Sequence, residues 1–385
     1  MKRTLFSPEH EAFRDLVRSF IAREVVPVYP EWEAAGCPPR DLFRRLGEIG
    51  IMGMNMDEKW GGAGQRDYVY NVVLQEETAR AGVTVGPLRT HLDVILPYFR
   101  RYADDDQQRR WFPGICTGDL MTAIALTEPD TGSDLAAVRT TAVREGDHYV
   151  LNGAKTYITG GSLAELFIVL CRTSTDEANR RRGLTLLVVE EGMAGFTKGR
   201  KLDKIGLKAQ DTVELSFSGV VVPVANRLGD EGAAFGYLGA NLPQERLAIA
   251  VGSVAQARAA LDLTIGYVSS RRVFGQTVSS FQNTKFELAA MATDIEAGQA
   301  LLDKGIASLG TGDLSPADAA MVKLFCTELQ GRVVDRCMQL FGGFGYISES
   351  GIARLYADAR VTRIYGGTSE VMKTIISKSL GLPSS

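Results

Sequence analysis

Apolar side chains recur at helical spacing in the first third of the chain. Over residues 7–118 they repeat every three or four positions, as in Phe13 and Val17, and this period is typical of amphipathic helices. Ser7 stands just before a proline and two acidic residues, a combination that caps a helix and complements its dipole. The pattern predicts an N-terminal α-helical domain over residues 1–119.

Around residue 120 the pattern changes to short runs of β-branched residues that are separated by turn residues. Such runs favour strands. The predicted strands cover residues 140–143, 149–151, 155–159, 166–171, 184–189 and 213–217, the last one ending before residues 220–223. Asn152-Gly153 lies between two of these runs, and this dipeptide is typical of a tight hairpin turn. This part predicts a middle, antiparallel β domain over residues 120–228.

Helical spacing returns after Gly232. The longest helical stretches cover residues 247–263, 284–309 and 316–341. One helix is predicted to begin near Pro243, and on it Glu245 would share a face with Ile249. This part predicts a C-terminal α-helical domain over residues 229–385, arranged as a four-helix bundle.

The order of these elements predicts an α+β fold, because strands and helices are segregated and do not alternate as in a doubly wound sheet. A chain of 385 residues, 45% of them hydrophobic, is long enough to bury a large core and to form two or three domains. The net charge of -3 arises from interspersed charges of both signs, which argues against nucleic-acid binding. Charges interrupt the apolar residues near the N-terminus, so we expect a cytoplasmic protein without membrane insertion.

Cysteine, histidine and glycine patterns exclude several classes of site. The five cysteines include no CxxC pair, and the three histidines lack a partner at ligand spacing, so we expect no metal site and no Ser-His-Asp triad. The glycine clusters at residues 61–64 and 342–345 do not join a strand to a helix, so neither is a Rossmann fingerprint. A dinucleotide would have to bind in a different way.

Five separated segments carry the pattern that bears on function. They read ALTEPDTGSD at residues 125–134, KTYITGG at 155–161, SRRVFGQ at 270–276, QLFGGFGY at 339–346 and RIYGGTSE at 363–370. In this order and spacing they resemble the signatures of acyl-CoA dehydrogenases over nearly the whole chain. The resemblance implies an acyl-CoA dehydrogenase-like fold, an FAD cofactor and oxidoreductase activity.

The resemblance also implies which residues contact FAD. Those at the flavin and its nearby phosphates would be Leu126, Thr127, Ser133, Tyr157, Ile158, Thr159, Thr368 and Glu370. Those that meet the pyrophosphate and adenosine end of FAD bound mainly by a neighbouring subunit would be Arg271, Phe274, Phe281, Gln282, Gln339, Gly342 and Gly343. Two of the five segments would thus act across an interface, and a homotetramer is expected.

The last segment departs from the family pattern at one position. Many members have a catalytic glutamate where Gly366 stands, and a glycine cannot remove a proton. Glu245, in the run LPQERL at residues 242–247, is the predicted base, because the long-chain and isovaleryl branches of the family carry it on this earlier helix. Gly366 would keep its N–H for polarising the thioester carbonyl, and Glu370 is the rival base.

The expected reaction is α,β-desaturation of an acyl-CoA thioester, with an electron-transfer flavoprotein as acceptor. Ser133, Arg246 and Gly367 would contact the substrate. Three alternatives stay open: a flavin-dependent monooxygenase or oxidase on the same fold, a dehydrogenase acting on a carrier-protein thioester, and a member of the fold without catalysis. The acyl chain length is not predicted.

Overall fold

The computed structural model describes residues 2–176 and 179–382. The α-helices are α1 (Pro8–Phe20), α2 (Tyr29–Ala35), α3 (Asp41–Glu48), α4 (Val69–Arg80), α5 (Gly86–Arg89), α6 (Leu96–Tyr102), α7 (Asp105–Thr117), α8 (Ala234–Ser270), α9 (Gln282–Thr311), α10 (Pro316–Phe341), α11 (Gly351–Ala359) and α12 (Ser369–Ser379). The strands are β1 (Thr122–Ala125), β2 (Thr141–Glu145), β3 (His148–Thr159), β4 (Leu166–Arg172), β5 (Leu184–Glu190), β6 (Phe196–Lys201), β7 (Thr212–Pro223), β8 (Arg227–Leu228), β9 (Arg272–Val273) and β10 (Gln276–Thr277). The predicted α+β fold is confirmed: helices, then strands, then helices.

The first helix begins as its sequence predicts. The Ser7 hydroxyl accepts a hydrogen bond from the His10 N–H at 3.4 Å, and Pro8 occupies the first turn. Val17 and Phe20 then point into the core between α1 and the other N-terminal helices. Capping therefore sets where α1 starts, and burial of its apolar face holds it in place.

Strands β9 and β10 pair as a separate two-stranded sheet, and strands β1–β8 form one larger sheet. Its path runs β6-β7-β3-β2-β4-β5-β8, and β1 pairs with β4 in parallel. A single parallel bridge, Thr141 to Arg172, joins β2 to β4, and the other pairs along this path are antiparallel. A separate apolar core lies inside this β region, with Tyr149 and Phe167 fully buried.

Two details of the strand prediction are wrong. Asn152-Gly153 is not a hairpin turn: β3 continues through it with a bulge, and the turn from β2 lies at residues 146–147. A Cβ on Gly153 would lie 2.5 Å from the Thr140 hydroxyl oxygen, so this glycine permits close packing inside a strand. Strand β7 also runs on through residues 220–223, where we expected it to have ended.

Helix α8 begins earlier than predicted. It starts at Ala234, so Pro243 lies inside the helix and Glu245 lies well beyond its first turn. The helix packs against α4, α9 and α10 at the centre of the C-terminal core. Among the described residues it is the one helix long and apolar enough to cross a membrane, and 56% of its apolar window is buried inside the protein, as in the core helix of a globular domain.

The loop between β6 and β7 connects the β region to the C-terminal helices. The Leu207 N–H donates to the Asp358 carboxylate on α11. A Cβ on Gly206 would lie 2.5 Å from the Ala357 carbonyl carbon, so only glycine permits this close approach. The contact brings Leu207 and Gln210 to the wall of a cavity that is described below.

His91 joins the N-terminal helices to the first strand. Its side chain is fully buried, and its Nδ1 lies 2.8 Å from the Thr122 hydroxyl oxygen. Its Nε2 has no hydrogen-bond partner within the described ranges. Burial lowers the pKa of His91 to about 3, so the imidazole is neutral at physiological pH.

We predict that His91 makes the protein sensitive to acid. Below pH 6.5 the unfolded chain binds a proton at this position that the folded protein does not, so stability falls as the pH falls through this range. We expect the free energy of unfolding of the parent, relative to that of His91→Gln, to fall by about 2 kcal/mol between pH 6.5 and pH 5. Urea unfolding of the FAD-saturated proteins measures this difference. A pH-independent difference would refute this assignment.

Candidate active site

The turn at Gly366 lies directly against helix α8. Gly366 and Gly367 have φ of +64° and +96°, a conformation that favours glycine. A Cβ built on Gly366 would lie 2.4 Å from Ile249 Cδ1 and 3.6 Å from Glu245 Oε1. The carboxylate of Glu245 therefore lies beside the position that the first side-chain atom of residue 366 would occupy.

Two cations on neighbouring helices contact the carbonyl oxygens of this turn. Lys323 on α10 is fully buried, and its Nζ donates to the Gly367 carbonyl at 2.7 Å. Arg246 on α8 donates through Nε to the Gly366 carbonyl at 3.4 Å. Burial lowers the pKa of Lys323 to about 8. The turn is thus fixed to both helices while its N–H groups stay available.

Glu245 has the properties of a proton acceptor. Burial raises the pKa of its carboxylate, and the charges of Arg246, Arg89 and Lys323 oppose that rise. The side chain is partly exposed, and within the described ranges its oxygens accept no hydrogen bond. A carboxylate without a fixed partner and with a raised pKa is suited to general-base catalysis.

Glu370 has a different environment. It is exposed in the first turn of α12, whose N-cap is Thr368. Its own backbone N–H and then the Thr368 hydroxyl lower the pKa of its carboxylate. These are the features of a helix-start acid, and they make Glu370 a weaker base than Glu245.

The loop after β1 is anchored to β3 by a buried ion pair. Lys155 Nζ lies 3.0 Å from the Leu126 carbonyl and 2.9 Å from Glu128 Oε1, and Lys155 is 1% exposed. The Thr156 N–H also donates to the Thr127 carbonyl at 3.0 Å. The structure therefore brings Leu126 and Thr127 beside the residues at the end of β3.

The end of β3 carries an exposed aromatic residue on a strained backbone. Tyr157 has φ +60° and is 68% exposed, and the strand register shifts between Lys155 and Ile158. Ile158 itself is buried, and the Thr159 hydroxyl accepts from Gln210 Nε2 at 3.3 Å. A left-handed backbone at a bulky residue is uncommon and clusters at binding sites. Ser133 is exposed on the loop after β1.

Other predicted contacts come together at a second place, between the ends of α8 and α10. Arg271, Gln339, Gly342 and Gly343 line one groove of about 640 Å³. A Cβ on either glycine would meet nothing within 4 Å, so a ligand can approach this backbone closely. Within the described residues, no protein group binds the side chain of Arg271.

Three predicted residues lie outside this groove, on the connection from α8 to α9. Phe274 is 95% exposed with φ +47°, Phe281 is partly buried, and Gln282 is exposed at the start of α9. Phe341, directly before the two glycines of the groove, stacks on Tyr267 with ring centroids 4.2 Å apart.

A cavity of about 60 Å³ is lined in part by Ile249, and its polar residues were not predicted from the sequence. Its walls include Gln75, Arg89, Asp93 and Tyr365. Arg89 and Asp93 are charged residues four positions apart in a segment rich in apolar residues, and this pattern was the available signal. The described residues include no group of three or more His, Cys, Asp or Glu side chains that could hold a metal ion.

Comparison with known proteins gives one consistent result. The chain matches three family models: Acyl-CoA dehydrogenase, N-terminal domain, over residues 7–119; middle domain, over residues 123–220; and C-terminal domain, over residues 234–381. Long-chain specific acyl-CoA dehydrogenase, mitochondrial, of Sus scrofa is 42% identical over 378 residues, which make up 98% of this chain and 88% of that protein.

Solved structures agree with these matches. The acyl-CoA dehydrogenase from Geobacillus kaustophilus superposes with a TM-score of 0.97 at 44% identity, covering 99% of this chain and 100% of that chain. A glutaryl-CoA dehydrogenase from Mycobacterium smegmatis, solved in complex with FADH2, superposes with a TM-score of 0.88 at 28% identity, covering 98% and 95% of the two chains.

The site geometry predicts that Gly366→Ala destabilises the protein by about 2 kcal/mol or more, because it combines backbone strain with a clash against Ile249. In an Ile249→Val background, which removes Cδ1, the cost should fall by about 1 kcal/mol, as measured by urea unfolding. Gly36→Ala is the matched control, since φ there is +75° and nothing lies within 4 Å of the added Cβ. Equal costs of Gly366→Ala in both backgrounds would show that the Ile249 contact is unimportant.

Proposed function

Since this chain belongs to the acyl-CoA dehydrogenase family and is an FAD-dependent oxidoreductase that acts on acyl-CoA thioesters, we propose that Glu245 is the base of an α,β-desaturation. One observation carries the proposal. Glu245 Oε1 lies 3.6 Å from the Cβ position of Gly366, the position at which many family members carry their catalytic glutamate. A carboxylate from α8 thus takes the place of one from the turn.

The residues described above fit FAD. Exposed aromatic residues on strained backbone at Tyr157 and Phe274, and the open backbone at Gly342 and Gly343, leave surfaces that a flat ring and a diphosphate can cover. Leu126, Thr127, Ser133, Ile158, Thr159, Thr368 and Glu370 would complete the flavin side, and Arg271, Phe281, Gln282 and Gln339 the adenosine side. When bound, FAD supplies the acceptor for the hydride that leaves the β-carbon.

The chain itself performs the proton transfer. Glu245 removes the α-proton in its ionised form, and its raised pKa brings its basicity closer to what the step needs. Charge then develops on the thioester carbonyl oxygen, which the N–H of Gly366 is free to stabilise, because within the described residues that N–H makes no hydrogen bond. Arg246, Gly367 and Ser133 would contact the thioester arm.

Several further points belong to the same proposal. The two separated groups of FAD residues favour a cofactor shared between subunits, and hence a homotetramer. An electron-transfer flavoprotein would accept the electrons, and the cytoplasm would be the location. The division at residues 119/120 and 228/229 stays a prediction. Because Glu245 can serve as a base, we propose dehydrogenation rather than a monooxygenase or oxidase reaction. We also propose CoA thioesters rather than carrier-protein thioesters as substrates.

We predict that Glu245→Gln binds FAD as the parent does but lowers the rate of flavin reduction by about 10²–10⁴-fold, the usual contribution of a general base. Anaerobic stopped-flow bleaching of the flavin by acyl-CoAs measures this rate. The rate of flavin reduction in the parent should rise with pH as Glu245 ionises, with a midpoint above the ordinary glutamate pKa. This rise, the pH limb of Glu245, should be absent in Glu245→Gln.

Glu370→Gln tests the rival acid of the last segment. Because Glu370 would also contact FAD, flavin content is measured first, and in the FAD-loaded variant acyl-CoA should bleach the flavin within a few-fold of the parent rate. If Glu370→Gln abolishes bleaching while Glu245→Gln leaves it intact, the base assignment is wrong. Bleaching by no acyl-CoA at all would refute the proposed reaction.

A further inference from the structure

The cavity lined by Ile249 has a largely apolar wall that also carries several polar side chains. It lies next to the Gly366 turn, since Ile249 both lines it and stands against the Cβ position of Gly366. Leu74, Val83 and Leu88 form part of its wall. Facing them are polar side chains that belong to α4, α5, α8 and the turn before Gly366.

Most of these polar groups already have partners. The Asp93 carboxylate accepts from Asn71 Nδ2 at 2.7 Å and from Gln75 Nε2 at 2.8 Å. Gln256 Oε1 accepts from Gln330 Nε2 at 2.6 Å. These bonds satisfy the groups that hold the cavity wall together, so they are explained as structure.

Among the polar groups of this wall are a donor, on Arg89, and an acceptor, on Gln75, for which the described residues provide no hydrogen-bond partner. The Arg89 guanidinium has no hydrogen-bond or ion-pair partner in the part of the chain that is described, and it lies 5.4 Å from the Tyr365 ring centroid. Gln75 is 6% exposed, and its Oε1 is buried without a partner. That oxygen lies 3.3 Å from the Cβ position of Gly252, another residue of the cavity wall. Leaving the buried Gln75 oxygen unpaired costs roughly 1–3 kcal/mol, whereas Arg89 is partly exposed.

We propose, on the basis of the function proposed above, that the cavity recognises an acyl-CoA whose chain carries a neutral oxygen group, hydroxyl or keto, beyond the β-carbon. The Arg89 guanidinium donates to that oxygen, and Gln75 Oε1 accepts from it when it is a hydroxyl. Arg89 and Gln75 are thereby specificity-determining residues for the acyl end of the substrate.

The charges around Arg89 favour a neutral group over a carboxylate. Its positive charge already interacts with Asp93 and Glu245, and Tyr365 and Tyr68 are its other close titratable neighbours. A distal carboxylate would add a third negative charge beside two existing ones, and like charges in a partly desolvated site repel strongly. A hydroxyl or keto oxygen uses the free donors without that repulsion.

The size of the cavity favours a short acyl end. Its volume is about 60 Å³, and one water-sized group needs roughly 10–15 Å³ on this measure. A few non-hydrogen atoms therefore fit beyond the reacting carbons. We therefore choose a six-carbon acyl group with the oxygen on carbon 5 as the test substrate.

The test compares CoA thioesters of equal chain length: hexanoyl, 5-hydroxyhexanoyl, 5-oxohexanoyl and the six-carbon dicarboxylic monothioester. We expect the parent kcat/KM to favour the two neutral oxygenated substrates over hexanoyl-CoA by about tenfold or more, the size of a hydrogen bond to a charged donor. Arg89→Met should erase this preference and change hexanoyl-CoA by less than about threefold. Gln75→Leu should reduce only the preference for the hydroxy compound. Arg109→Met, at an exposed arginine of α7, is the control and should change nothing.

Each result decides between alternatives. A parent that prefers hexanoyl-CoA or the dicarboxylic thioester would overturn the proposal. So would an Arg89→Met variant that slows all four substrates equally at a pH above the Glu245 limb, because Arg89 would then not discriminate between acyl ends. Flavin content and urea unfolding of each variant exclude a folding defect. Binding of the four thioesters to Glu245→Gln should show the same preference in the absence of turnover. If no thioester bleaches the flavin, the proposed function is wrong. If all four bleach it with similar kcat/KM, only the proposed specificity is wrong.

Discussion

The close approach of the Gly366 turn to helix α8 is the constraint on which the site depends. A side chain at position 366 would need a left-handed backbone and the space that Ile249 Cδ1 occupies. Glycine removes both conflicts. The same packing places the Glu245 carboxylate beside the turn, so the absence of a side chain there and the presence of an acid on α8 are two aspects of one arrangement.

Two buried lysines hold the two sides of this site. Lys323 contacts the Gly367 carbonyl at the turn, and Lys155 contacts the Leu126 carbonyl at the loop after β1. Burying an ammonium group is unfavourable unless hydrogen bonds compensate. Each lysine here meets a backbone carbonyl of a loop that lacks a regular ladder of its own. The interaction therefore fixes irregular backbone, which explains why charged residues occupy positions that the apolar pattern alone would fill with leucine.

The sequence predicted what local rules determine and missed what tertiary packing decides. Helical spacing located α9 and α10, and Ser7 located the start of α1, because period and capping are local. Pro243 suggested a helix start, yet α8 begins at Ala234 and continues through Pro243, which is buried inside it. Gly153 suggested a turn, yet it permits close packing against Thr140. Pairing of distant segments gives no signal in a single sequence.

The polar side chains of the cavity were likewise not predicted from the sequence, and they bear on substrate recognition. Arg89 and Asp93 interrupt an apolar helical segment, which from sequence alone reads as a flaw in the pattern. In the structure, the Asp93 carboxylate accepts two hydrogen bonds. Gln75 Oε1 is buried without a partner, and the partly exposed Arg89 side chain makes no hydrogen bond within the described residues. A folded protein tolerates such unpaired atoms where another molecule completes them, since the free energy lost in folding is recovered on binding. The Glu245 carboxylate and the polar side chains of the cavity thus both lie beside helix α8, near the Gly366 turn.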